Sequence, residues 1–99
     1  MGDVSGQGPD AVVVYQIEFA PRATRAIAEV LPEPVATACI EFIYGPLAEN
    51  PQRVGKPLRD ELAGRWTARR GQFRVIYEIH DDRIVVRVVD VAHRRDAYR

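Results

Sequence analysis

The sequence predicts an α+β fold: one strand, two helices and then three strands, with the helices packed on one face of an antiparallel sheet. Three observations predict it. Apolar, β-branched runs fall at residues 11–19, 73–80 and 84–91. Two segments with apolar residues at helical spacing lie between the first run and the others. Short turn sequences, Arg70-Gly71 and Asp81-Asp82, separate the last three strands closely enough for hairpins.

The elements follow in order. In residues 11–19, Val12, Val14 and Gln16 alternate with Val13, Tyr15 and Ile17, which reads as a strand that is apolar on nearly both faces. Pro21 starts a helix whose stripe is Ala23, Ile27, Val30 and Leu31. Leu31-Pro32-Glu33-Pro34 breaks it. A second helix presents Val35, Ala38, Cys39 and Phe42 on one side and ends near Gly45-Pro46. So short a break between helices predicts an antiparallel helical hairpin. Residues 47–62 read as a polar connector with Pro51 and Pro57 and little periodicity. Strands are expected at 65–70, 73–80 and 84–91, giving the order β-α-α-β-β-β.

Ninety-nine residues suit one domain, expected over residues 11–99, with residues 1–10 a disordered polar leader that is neither signal peptide nor anchor. No apolar run reaches membrane-spanning length, and the single cysteine, Cys39, excludes an internal disulfide and fits a reducing, cytoplasmic setting. Its apolar neighbours suggest a buried thiol. The net charge is zero, yet it is divided unevenly. Residues 1–50 carry two basic and seven acidic side chains, net −5; residues 51–99 carry twelve basic and seven acidic, net +5. From Arg65 to Arg74 there are four arginines and no acid. A polarised molecule of this kind can offer a basic face to a polyanion.

Register decides where those arginines point. With Arg70-Gly71 as the turn, Arg69 pairs with Gln72 and Thr67 with Arg74. Trp66, Ala68, Phe73, Val75 and Tyr77 then share an apolar face that meets the core. Thr67, Arg69, Gln72 and Arg74 share the other face, with Arg69 and Arg74 as diagonal neighbours roughly 7–8 Å apart. A slip of one residue buries both arginines and exposes Trp66, which hydrophobic burial forbids. Arg94, just past the last strand, is a third cation able to reach the same face, and Lys56 and Arg59 can line its rim.

The runs Asn50-Pro51-x-Arg53-x-Gly55-Lys56-Pro57-Leu58-Arg59, Leu62-x-Gly64-x-Trp66, Ala68-Arg69-Arg70-Gly71-x-Phe73-Arg74-Val75-x-Tyr77 and Asp90-Val91-x-His93-Arg94-x-Asp96-x-Tyr98 resemble the RelE/ParE toxin superfamily, and more narrowly the RelE-type toxins of bacterial toxin–antitoxin systems. The resemblance covers residues 12–99. It implies the RelE-like fold and a ribosome-dependent endoribonuclease that cuts mRNA in the A site. In that chemistry the 2′-OH attacks the adjacent phosphate and no metal or other cofactor takes part. It also implies a cognate RelB-like antitoxin, a toxin–antitoxin hetero-oligomer, and no membrane association. Carried over by motif, the catalytic positions fall on Arg69, Arg74, Arg94 and Tyr98, with His93 where some relatives carry a catalytic His or Lys. Lys56, Arg59 and Arg70 are expected to bind RNA. Thr67 stands where several relatives have a lysine, with Arg70 or Lys56 the available substitutes.

Cleavage of this type builds negative charge on phosphoryl oxygens, which fixed guanidinium forks stabilise. It needs a base for the 2′ proton and an acid for the leaving 5′ oxygen. His93 has a suitable unperturbed pKa near ~6.5, whereas Tyr98, near ~10, needs cations beside it. The base stays open between them. Each residue also has a plain structural role: Arg69 and Arg74 as solubility residues, Arg94 as a partner of Asp90 or Asp96, Tyr98 packing on the sheet, His93 as a strand-end surface residue, and His80 solvated in a turn. Two other functions fit the same fold. One is the gyrase-directed poison of the ParE branch, which usually lacks the Arg and Tyr ending; the other is a non-catalytic module that docks a partner.

Overall fold

Among the described residues the first strand sits beside the last in the sheet. The computed structural model describes residues 13–94. In chain order the elements are β1 (Gln16–Phe19), α1 (Pro21–Arg25, continuing in a wider winding through Ala26–Val30), α2 (Glu33–Phe42, continuing through Ile43–Leu47), α3 (Pro51–Val54), β2 (Lys56–Pro57), a single turn at Asp60–Leu62, β3 (Trp66–Arg70), β4 (Phe73–His80) and β5 (Val85–His93). This is the expected α+β layout, with helices on one face of the sheet. The leader and Ala11 and Val12 lie outside the described residues.

Several expectations are corrected. The sheet is mixed: β1 runs parallel to β5, while β2, β3, β4 and β5 are antiparallel in sequence. The connection between β1 and its neighbour is the rest of the domain, so no hairpin dictates its direction. β1 is also shorter than residues 11–19. Gln16 N–H bonds the Ile84 carbonyl at the start of the ladder, and one residue earlier Tyr15 N–H bonds Ala48 instead. Val13 and Val14, ahead of it, are exposed.

The connector is structured where a featureless segment was expected. Pro51 opens α3, as proline at a first helical position favours. Lys56 and Pro57 add an edge strand, where a missing N–H costs no ladder bond. The first helix buries Ala23, Ala26 and Leu31 and leaves Val30 exposed. Its second half is wound i to i+5, Leu31 N–H reaching the Ala26 carbonyl, and this turns Val30 away from the core. α2 does not stop at Gly45-Pro46. It widens there, which accommodates the N–H that Pro46 lacks, and runs on to Leu47. Val35, Cys39, Phe42, Ile43 and Leu47 are its buried residues; Ala38 is exposed.

The β3–β4 turn is Gly71-Gln72, with Gly71 at φ 50°, one residue later than expected. Every pairing therefore shifts by two, which leaves each side chain on its expected face. The β4–β5 turn spans four residues, Asp81 to Ile84, and β5 extends from Val85 to His93 with an irregularity opposite Ile76 and Tyr77. The core forms between the sheet and α1–α2: Val75, Tyr77, Val86 and Val88 meet Ala23, Cys39, Ile43 and Leu47, all of them completely buried. Burial pushes the Cys39 thiol up to about 11.

Candidate nucleic-acid interface

Along β4, buried residues alternate with half-buried ones: Phe73, Val75 and Tyr77 face the helices, and Arg74, Ile76 and Glu78 face away. This second surface is the open face. Arg69 is the direct partner of Arg74, and Arg74 that of Ala92, so the two arginines stand side by side in one cross-strand row. Their Cα atoms are about 5 Å apart, closer than the diagonal arrangement expected from sequence. Arg94 is tied in by its backbone, its N–H donating to the Gln72 carbonyl at 2.6 Å. Alternation past Ala92 puts it on the same face, diagonal to Arg74. Among the described residues, neither Arg74 nor Arg94 forms an ion pair. The Asp90 carboxylate, a possible partner for Arg94, instead contacts Arg22 at 3.2 Å and accepts from Val91 N–H.

The other sequence-predicted site residues are divided between this face and other places. His93 pairs with Phe73, whose ring packs on Phe42, and so belongs to the helix-side face. Its Nε2 is shielded from solvent. Arg70 also pairs with Phe73; its guanidinium lies 4.8 Å from the centre of the Phe42 ring and donates to the Arg69 carbonyl at 2.9 Å. The hairpin thus splits its two adjacent arginines between opposite faces. Arg59 follows Leu58, which bonds Arg65 beyond the far end of β3 from Arg69. Lys56 pairs with Thr67 and joins the open face. Tyr98 lies outside the described residues. Among the described residues no group of three His, Cys, Asp or Glu side chains is placed to hold a metal ion.

Sequence reasoning missed what fixes the other end of this face. Glu78 contacts Arg65 Nε at 3.6 Å and hydrogen-bonds His80 Nε2 at 3.1 Å, so His80 is half-buried and partnered where a solvated turn residue was expected. Glu18 on β1, the register partner of Arg87, contacts Arg83 at 3.8 Å. Asp81 accepts from the Tyr15 hydroxyl at 2.5 Å and from Gln52 at 3.3 Å, and the first of these bonds raises the Tyr15 pKa. The available signal was Glu78 and His80, two residues apart on one strand and so on one face.

The family described as "ParE toxin of type II toxin-antitoxin system, parDE" matches residues 17–98. This chain belongs to that toxin family. Toxin RelE of Mycobacterium tuberculosis is 45% identical to this chain over 85 residues, covering 86% of this chain and 87% of that protein. Toxin RelG of the same organism is 45% identical over 85 residues, covering 86% and 97%. The toxin–antitoxin complex RelBE2 from M. tuberculosis contains a chain 44% identical to this one, with a TM-score of 0.80 over 83% of this chain and 93% of that one. The RelE/ParE resemblance and the RelE-like fold are thus shown. Among the described residues of this ParE-family toxin, no helix is long and apolar enough to cross a membrane.

Proposed function

We propose that this toxin is a metal-independent endoribonuclease that cuts mRNA in the ribosomal A site and so inhibits translation. The observation carrying the reading is the Arg69–Arg74 row on the open face, with Arg94 bonded through its backbone to Gln72 at the same end. Two guanidinium forks about 5 Å apart at the backbone can grip one anion between them, and a phosphodiester is such an anion. In the reaction the 2′ oxygen attacks phosphorus as its proton leaves to a base. The P–O5′ bond breaks, an acid protonates the departing oxygen, and a 2′,3′-cyclic phosphate remains. Arg69 and Arg74 stabilise the charge on the non-bridging oxygens, and Arg94 adds to that field. The placement of His93 with Phe73 supports Tyr98 as the proton-transfer group. Lys56 and Arg59 contact RNA outside the reacting centre; Arg70, on the other face, is freed for packing on Phe42.

RelBE2, a relative's complex, supports a cognate antitoxin for this chain in a hetero-oligomer. An acidic or amphipathic antitoxin segment is complementary to the basic face. The deciding experiment maps 5′ ends on mRNA translated in vitro with wild type, Tyr98→Phe and Arg94→Ala. Ends within codons that require ribosomes and vanish in both variants are expected. Normal cutting by both variants sinks the site assignment. Loss of gyrase supercoiling with no transcript ends makes the chain a gyrase poison, and neither effect leaves a partner-docking module.

A further inference from the structure

The open face receives a fourth cation from the sheet's opposite edge. Lys56 is the Cα partner of Thr67, and Thr67 of Ile76, which sets Lys56 one row along the strands from Arg69 and Arg74. One row is two residues, about 7 Å. Arg94, beside Gln72, is one row away on the other side. Across the sheet the order is therefore Arg94 at the end of β5, Arg74 on β4, Arg69 on β3 and Lys56 on β2. With strands about 4.8 Å apart, the cations form a diagonal about 20 Å long. Lys56 is exposed and, among the described residues, forms no ion pair. A line of that length fits the backbone of an extended single strand better than one isolated phosphate.

β2 has only two residues, and three contacts hold it. The Tyr77 hydroxyl, completely buried, donates to the Pro51 carbonyl at 2.6 Å and anchors α3 just ahead of the strand. Leu58 N–H donates to Arg65 at 2.8 Å just after it. Between them, Gly55 passes so close to β3 and β4 that a Cβ there would overlap the Tyr77 hydroxyl and lie 2.7 Å from the Thr67 carbonyl. Burial raises the Tyr77 phenol to about 12, so it remains a donor at neutral pH.

We infer that Lys56 holds an RNA phosphate next to the scissile one, and that Tyr77, Pro51 and Gly55 are positioning residues that set it in line with the arginines. The inference rests on the ribonuclease reading. A neighbouring phosphate is held equally in ground and transition states, so its contact appears in KM and not in kcat. Full-length wild type, Lys56→Gln, Lys56→Arg, Tyr77→Phe and the Lys56→Gln/Tyr77→Phe double variant are compared in two assays. The first is binding of a single-stranded 2′-O-methyl oligonucleotide across a salt series; the second is cleavage of translated mRNA. Lys56→Gln should flatten the slope of log affinity against log salt by about 0.7, one phosphate contact. It should raise KM about five-fold with kcat within two-fold, and Lys56→Arg should restore both. Tyr77→Phe should weaken binding, and adding Lys56→Gln to it should cost less than in wild type. An unchanged slope and KM in Lys56→Gln, or a loss in kcat alone, overturns the role of Lys56. Wild-type affinity and slope in Tyr77→Phe overturn the positioning role. Wild type lacking both RNA affinity and cleavage overturns the ribonuclease reading itself, a result separate from any difference among variants.

Discussion

The two ends of the open face handle charge in opposite ways. At the end near the β4–β5 turn, charges alternate across the sheet: Arg65 just ahead of β3, Glu78 on β4, Arg87 on β5 and Glu18 on β1 follow one another, with Arg83 and His80 joining the acids. At the hairpin end, Arg69 faces Arg74 directly, and Arg74 and Arg94 meet no carboxylate among the described residues. Opposite charges across a ladder stabilise a sheet, and like charges directly opposite destabilise it. One end is arranged as a fold alone would arrange it. The other sets two arginines directly opposite each other on rigid strands, a placement that suits an anion gripped by both.

The largest expected effect breaks the comparison at the hairpin end. Arg74→Ala removes a charge-stabilising fork and should lower cleavage of translated mRNA at least 100-fold, the usual size for losing one such donor. The same change breaks no ion pair among the described residues, so the thermal midpoint should stay level. Cleavage mapping and a melting curve on the same preparation check both halves. A large drop in midpoint would mean that Arg74 is a structural residue and that the contrast between the two ends is misread.

The next effect loosens the core under both ends without touching either set of charges. The Tyr77 phenol is raised from 10.0 to about 12 and the Cys39 thiol from 9.0 to about 11, both chiefly by burial. A group whose folded pKa is raised contributes stability in full below its unfolded pKa and loses it as pH climbs through the folded one. Denaturant midpoints should therefore hold up to about pH 9 and fall between pH 9 and 12, each group contributing on the order of 2 kcal/mol. Cys39→Ala should delay the onset to about pH 10. An onset unmoved by that substitution would show that the thiol does not ionise on unfolding in this range.

Much of this was legible because burial leaves little choice. Trp66, Ala68, Phe73, Val75 and Tyr77 fix which side of the hairpin meets the helices, so the placement of Arg69 and Arg74 together survives even an error of two in the register. Turn chemistry was weaker: Gly71 fits either of two positions in the turn, and the chain uses the later one. Lys56 was visible as a basic residue but not as a strand residue, because two residues carry no periodicity and the pairing depends on a distant hydroxyl, that of Tyr77. The face of His93 was not readable for a related reason. A residue just past an apolar run has no neighbours in sequence to show its face, whereas its pairing with Phe73 does. The winding at Pro46 escaped because proline marks a helix end far more often than a widened turn.

The smallest expected effect tests the paired end. Arg65 contacts Glu78 at 3.6 Å with both side chains partly exposed, and Glu78 also accepts from His80. Such pairs contribute about 0–1 kcal/mol, since solvent screens the charges and ordering two long side chains has an entropic cost. Arg65→Ala should lower stability by no more than that and leave mRNA cleavage within two-fold of wild type, although it removes the same charge as Arg74→Ala from the same face. Net charge is thereby held constant between the two variants, and only position differs. If Arg65→Ala reduced cleavage as far as Arg74→Ala does, the face would act through its summed field, and the hairpin row would hold no special place in it.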